Sequence, residues 1–215
     1  GAQILGNWIG TTPEGESIGT NGFGVRVLGA GPHAVGGWPD WDATQVAAGG
    51  NVIAHNQNGG IGLLQSWSEG VSVRGNFMYG HVDVPGVDLA ADGITPNDFG
   101  DVDTGSNRLQ NTPHFDLAQT NANEVTGDLE VRYRVNTNEG DATYPLTVDF
   151  HLRGAYDEEV GTYLGSDTYP AASATLFRSV ALTPLIDIED VEGVLVATAT
   201  DADGNSSEIS TQWVL

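Results

Sequence analysis

Val71-Ser72-Val73-Arg74-Gly75-Asn76-Phe77-Met78 sets an alternating apolar run against a Gly-Asn corner, then resumes with a second apolar pair. The phrase also stands at Ile4-Leu5-Gly6-Asn7-Trp8-Ile9 and, shortened, at Gly50-Asn51-Val52-Ile53. Strict alternation makes each run a short strand with one buried face, and Gly-Asn supplies backbone that tolerates a left-handed corner. A second phrase, Gly followed by an alternating run, falls between the first: Gly24-Val25-Arg26-Val27, Gly60-Ile61-Gly62-Leu63 and Gly86-Val87-Asp88-Leu89. Val25 precedes Ile61 by 36 residues and Ile61 precedes Val87 by 26, one coil with and without an insertion. Self-similarity at such a period marks units that bury their apolar faces only by stacking on one another. The expected fold of residues 1–91 is therefore the last three or four coils of a right-handed parallel β-helix. Residues 29–49, with Gly-Pro, Gly-Gly and Trp38-Pro39-Asp40-Trp41, read as a loop inserted at one corner.

Composition narrows the partners. The 215 residues carry 18 Asp and 11 Glu against seven Arg, with no Lys and no Cys, for a formal net charge of −22. That field repels nucleic acid and anionic membrane, and the lack of Cys removes disulfides and thiolate chemistry. No run is long and apolar enough to span a bilayer. No secretion signal is visible, so one is expected to have been removed or to lie upstream. Thirty Gly and 14 Asn suit a many-cornered β fold.

From Asp92 to Asn107 the apolar pattern stops, and residues 92–115 read as an acidic junction loop. Alternation returns at Leu129–Val135, Leu146–Leu152 and Val194–Thr200, which predicts an antiparallel β-sandwich over 116–215, immunoglobulin-like in size and rhythm. The whole is expected to be all-β. The chain resembles the carboxy-terminal part of secreted bacterial or archaeal right-handed parallel β-helix repeat proteins, in which coils end in a stretch like Gly86-Val87-Asp88-Leu89…Asp92-Gly93-Ile94-Thr95-Pro96-Asn97-Asp98…Gly100-Asp101…Asp103-Thr104-Gly105…Asn107. In that family a β-sandwich follows, closing on a strand like Ala197-Thr198-Ala199-Thr200-Asp201-Ala202-Asp203-Gly204-Asn205. The resemblance implies a large surface or secreted protein and little about activity.

The junction is the foremost candidate site. Asp92, Asp98, Asp101 and Asp103, with Asn97 and Asn107, gather hard oxygens of the kind Ca²⁺ takes at six to eight positions. The alternative is a linker whose carboxylates bond their own backbone. Asp201-Ala202-Asp203-Gly204-Asn205 reads as a hairpin turn in preference to a metal loop. Trp38 and Trp41 are candidates to stack on a glycan or anchor a partner, or to form the insertion's own apolar cluster. The Asn at 7, 51 and 76 are expected to bond from coil to coil. Ile4, Trp8 and Ile9 belong to a rung with no cap before it, so that edge is expected to pair with upstream coils or another copy, the latter giving potentially filamentous assembly.

Catalytic signals are weak by comparison. His81, Asp83 and Asp88 could share a face, but no paired-carboxylate motif surrounds them. Polyuronate lyases need basic side chains that this chain scarcely has, and no Ser or His motif suggests a nucleophile. The expectation is a non-catalytic structural or adhesive protein of the cell surface or exterior, stabilised by calcium. The alternatives are a fragment of a carbohydrate-active enzyme and a glycan-binding module.

Overall fold

The computed structural model describes residues 1–20, 22–81, 83–123, 126–154, 158–184 and 193–210. Among these the chain is mostly strand, with one short α-helix, and no helix is long and apolar enough to cross a membrane.

Nine short strands fill the first half: β1 Gln3–Ile4, β2 Trp8–Ile9, β3 Val25–Val27, β4 His33–Gly36, β5 Val52–Ala54, β6 Ile61–Leu63, β7 Val71–Arg74, β8 Phe77–Tyr79 and β9 Val87–Leu89. Each pairs in parallel with the strand three places on, giving the sheets β1-β4-β7, β2-β5-β8 and β3-β6-β9. The two Gly-led spacings are the register itself, since Val25 faces Ile61 and Ile61 faces Val87. Alternation sends Val25, Ile61 and Val87, Val35 and Val73, and Ile53 and Met78 into one shared core. The corners stack too. Asn7 donates its backbone N–H (3.0 Å) and Nδ2 (3.1 Å) to Oδ1 of Asn51, and Asn51 donates the same two groups (3.1 and 2.8 Å) to Oδ1 of Asn76. Close stacking also explains Gly36, whose φ is +84° and where a Cβ would land on the Arg74 carbonyl.

The inserted-loop reading of 29–49 needs correction. His33–Gly36 is strand β4, paired on both sides, and Ala43–Gly49 is helix α1. The helix begins with a reciprocal capping box between Asp42 and Gln45. What departs from the circuit is therefore the stretch after Gly36. The strand was hidden because its Gly-Pro and Gly-Gly flanks read as turns.

The second half holds two antiparallel sheets. Strand β12 (Asp128–Arg134) pairs with β10 (His114–Phe115), β11 (Asn121–Asn123) and β16 (Arg178–Leu182), while β13 (Leu146–Arg153) lies between β15 (Thr162–Tyr169) and β17 (Val194–Thr200). Leu129, Val131 and Tyr133 of the first sheet and Leu146, Val148, Phe150, Leu195, Ala197 and Ala199 of the second close one core. The sheet starts at β10, ahead of the expected boundary at 116.

The two halves interlock. Strand β14 (Glu158–Val160) leaves the second half and pairs antiparallel with β8. Beside β7, the Ser206 hydroxyl accepts from Val73 N–H at 2.8 Å, and buried Asn107 accepts from Val71 N–H (3.1 Å) while donating to Val71 and Ser206 carbonyls (2.8 and 2.9 Å). Beside β9, Glu208 accepts from Leu89 N–H at 2.8 Å. All three sides of the last circuit are thus covered by later parts of the chain.

Candidate functional site

The junction loop is hooked to the segment after β12. Gly100 bridges Thr137, and Asn136 Nδ2 donates to the Asp98 carbonyl at 3.0 Å. This brings Asp98, Asp101 and Asp103 together, with one carboxylate oxygen from each lying within 4.8 Å of the others. Asp101 sits in left-handed backbone (φ 67°), and its carboxylate accepts from Thr137 Oγ1 and Gln110 Nε2, both 2.7 Å, and from Asn111 N–H at 3.0 Å. Burial pushes the Asp101 carboxyl up to about 7 against those donors, with Asp103 and Asp98 adding repulsion. Asp98 accepts from Val102 N–H at 3.1 Å and from Asn111 Nδ2 at 3.3 Å. Oδ1 of Asp103 is a buried atom with no hydrogen-bond partner, and burial with the Asp98 charge raises its carboxyl as well. Three converging carboxylates, one holding an unsatisfied oxygen, can accept a hard cation that would remove their mutual repulsion.

The other expected ligands lie elsewhere. Asn97 spends its amide on Thr112, accepting from its N–H (2.8 Å) and donating to its carbonyl (2.9 Å). Asn107 spends its amide on Val71 and Ser206, in place of a strand neighbour. Asp92 follows the strand β9 segment, where its N–H donates to Asp88 at 3.2 Å. Asp201 closes its own turn, accepting from Asn205 N–H (2.8 Å) and Nδ2 (2.9 Å).

Trp38 and Trp41 are half-buried. The Trp41 ring packs over Gly37 and Gly49, and both tryptophans turn their carbonyls to Arg74 Nη1, at 2.7 and 3.2 Å. Ile4 and Ile9 pack half-buried against the circuit core, and Trp8 is 47 % exposed. His81, Asp83 and Asp88 do not assemble into a reactive group. His81 is buried with Nδ1 on Glu159 (2.9 Å) and Nε2 beside Asn56 Nδ2 (3.3 Å), Asp83 is exposed, and Asp88 accepts from Asp92 and Gly93. A cavity of about 630 Å³ lies beside them, lined by His81, Val84, Ile94, Arg153, Glu158 and Glu159 among others.

Sequence reasoning missed Arg74. Its guanidinium is inaccessible, bonding Asp149 through Nε (2.6 Å) and Nη2 (2.8 Å), with Tyr163 donating to the same carboxylate at 3.1 Å. The one signal was an Arg at the outward position of an otherwise apolar rung, a place that is polar in any half-exposed strand.

No protein-family model, no curated protein and no solved structure matches this chain.

Proposed function

We propose that this chain is a non-catalytic structural or adhesive module of a secreted or cell-surface protein, in which coils of a right-handed parallel β-helix are closed by an immunoglobulin-like β-sandwich and a calcium ion fixes the junction. The observation that carries the reading is the interlock itself. Arg74, Asn107, Ser206 and Glu208 spend their polar groups tying coil to sandwich, which makes a stiff all-β body. Of the polar side chains lining the large cavity, His81 is engaged with Glu159 across the two halves and Glu158 with the nearby Gly154 N–H. The acidic, Lys-free composition fits an exterior setting, where salt screens self-repulsion within about 10 Å.

Calcium is supported by the convergence of Asp98, Asp101 and Asp103 and by the unpartnered Asp103 oxygen. A ligand that binds only the folded form adds about 2.7 kcal/mol at a hundredfold excess over Kd. The expected result is a lower melting temperature in chelator, recovery with Ca²⁺, and loss of that response in Asp103→Asn. A wild-type melting curve indifferent to chelator and to added calcium would remove the ion from the proposal. The non-catalytic part is tested on pectate, alginate and neutral glycans. New reducing ends or unsaturated products that Asp88→Ala abolishes would favour the carbohydrate-active alternative, whereas glycan binding without turnover, lost in a Trp38→Ala, Trp41→Ala double variant, would favour the binding module.

A further inference from the structure

The two ends of the coil stack differ in a way that specifies what covers the open one. At the far end β14, Asn107, Ser206 and Glu208 occupy the sides of β7, β8 and β9. At the near end β1, β2 and β3 are the outermost strands of their sheets, with no further strand paired to them among the described residues. That face has a cavity of about 380 Å³ lined by Ile4, Val25, Val27, Leu28 and Val35 among others, and Leu28 and Trp8 are 57 and 47 % exposed. The asparagine ladder gives the face a polarity. Asn7 and Asn51 each donate N–H and Nδ2 to the Asn of the following coil, and Asn51 and Asn76 each offer Oδ1 to the Asn of the preceding one. Asn7 has made its donations, so its Oδ1 is the next acceptor in the series. Gly6 repeats the arrangement. A Cβ on Gly75, the equivalent corner, would strike Val46 of the coil before it, whereas the same position on Gly6 meets nothing within 4 Å.

We propose that this face is the seat of one further parallel three-strand coil, whose own Gly-Asn corner donates to Asn7 Oδ1 and whose apolar rung residues fill the cavity over Ile4 and Val25. A second copy stacked head-to-tail is disfavoured, because its far end offers a cap where a bare coil edge is required. The inference rests on the coil reading above but not on calcium or on the absence of catalysis.

The register supplies the test. Residue 2 is equivalent to 33 and 71, since Gln3 faces Ala34 and Ala34 faces Ser72. A copy of residues 33–70 joined ahead of Ala2 therefore adds one circuit in phase. A fusion carrying one extra residue at the joint turns every joining side chain to the wrong face. The in-phase fusion is expected to slow amide exchange over residues 3–9 and 25–27 at least tenfold relative to the parent chain, and an Asn51→Ala change confined to the added copy should weaken protection at residue 7. The shifted fusion should give no protection. An in-phase fusion no better protected than the shifted one, whether both fold or neither does, overturns the proposal. So does a parent chain that sediments as a dimer dispersed by Trp8→Asp, which would hand the face to a second copy.

Discussion

Arg74 carries its charge where no water reaches it, and its partners set what its loss would do. Two donors meet both oxygens of Asp149 and the third nitrogen is ringed by the Trp38, Pro39 and Trp41 carbonyls. Removing one member of such a pair strands the other, which costs about 3–5 kcal/mol, whereas replacing both with apolar groups of similar size can be nearly neutral. Arg74→Met should therefore lower the denaturation midpoint sharply, and adding Asp149→Leu should restore part of the loss. Urea unfolding of the two variants measures both. Glu208 makes a second prediction. Burial pushes its carboxyl up to about 7, with the Asp88 charge adding and the Leu89 and Thr95 N–H donors opposing. The folded chain thus holds this proton more tightly than the unfolded one, so the contribution is full below about 4.5 and is lost as pH rises through about 7. Each tenfold change in proton affinity is worth about 1.4 kcal/mol. Stability should fall across that window, and the slope should shrink in Glu208→Gln; a slope unchanged by the substitution would show that other groups govern it.

At the scale of elements, the circuit rests on corners as much as on strands of two to four residues. Asn76 ties its corner to that of Asn51 and to strand β4, accepting twice from Asn51 and donating to the Val35 carbonyl at 2.8 Å. Asn76→Ala should leave buried donors and an acceptor unmet, at about 1–3 kcal/mol each, and should cost more than Asn7→Ala at the exposed end of the same ladder; thermal melts of the pair decide. The legibility of these elements follows their physics. Alternation and Gly-Asn corners are local, so β3, β6, β9, β12, β13 and β17 could be read directly. β4 could not, because four residues between turn-forming flanks carry too little pattern. β7 could not be read for its environment, since all four of its residues are buried where alternation predicts an exposed face. Of the six expected junction ligands, spacing alone could not separate Asp98, Asp101 and Asp103 from Asp92, Asn97 and Asn107, because the sorting depends on Thr137, Thr112 and Val71, partners supplied by the fold.

Across the whole molecule, the contacts that matter most join residues far apart in sequence, Arg74 to Asp149, His81 to Glu159, Val73 to Ser206 and Leu89 to Glu208. None is visible in local pattern, and together they make each half incomplete alone. The last coil needs the tail and β14 to satisfy its strand edges, and β14 has its sheet partner in the first half. Unfolding should accordingly be one cooperative transition, with circular dichroism and tryptophan fluorescence, which draws mainly on the first half, giving coincident curves. Its denaturant dependence should correspond to exposing the whole chain at once. Loosening the seam should break that unity: combining Arg74→Met with Glu159→Ala leaves both cores intact but cuts an ion pair and the His81 anchor of β14. The expected result is two separated transitions, the fluorescence change falling at the lower or higher one but not spanning both. Two transitions already present in the parent chain would mean that the halves are stable independently, and that the seam positions them without holding either one folded.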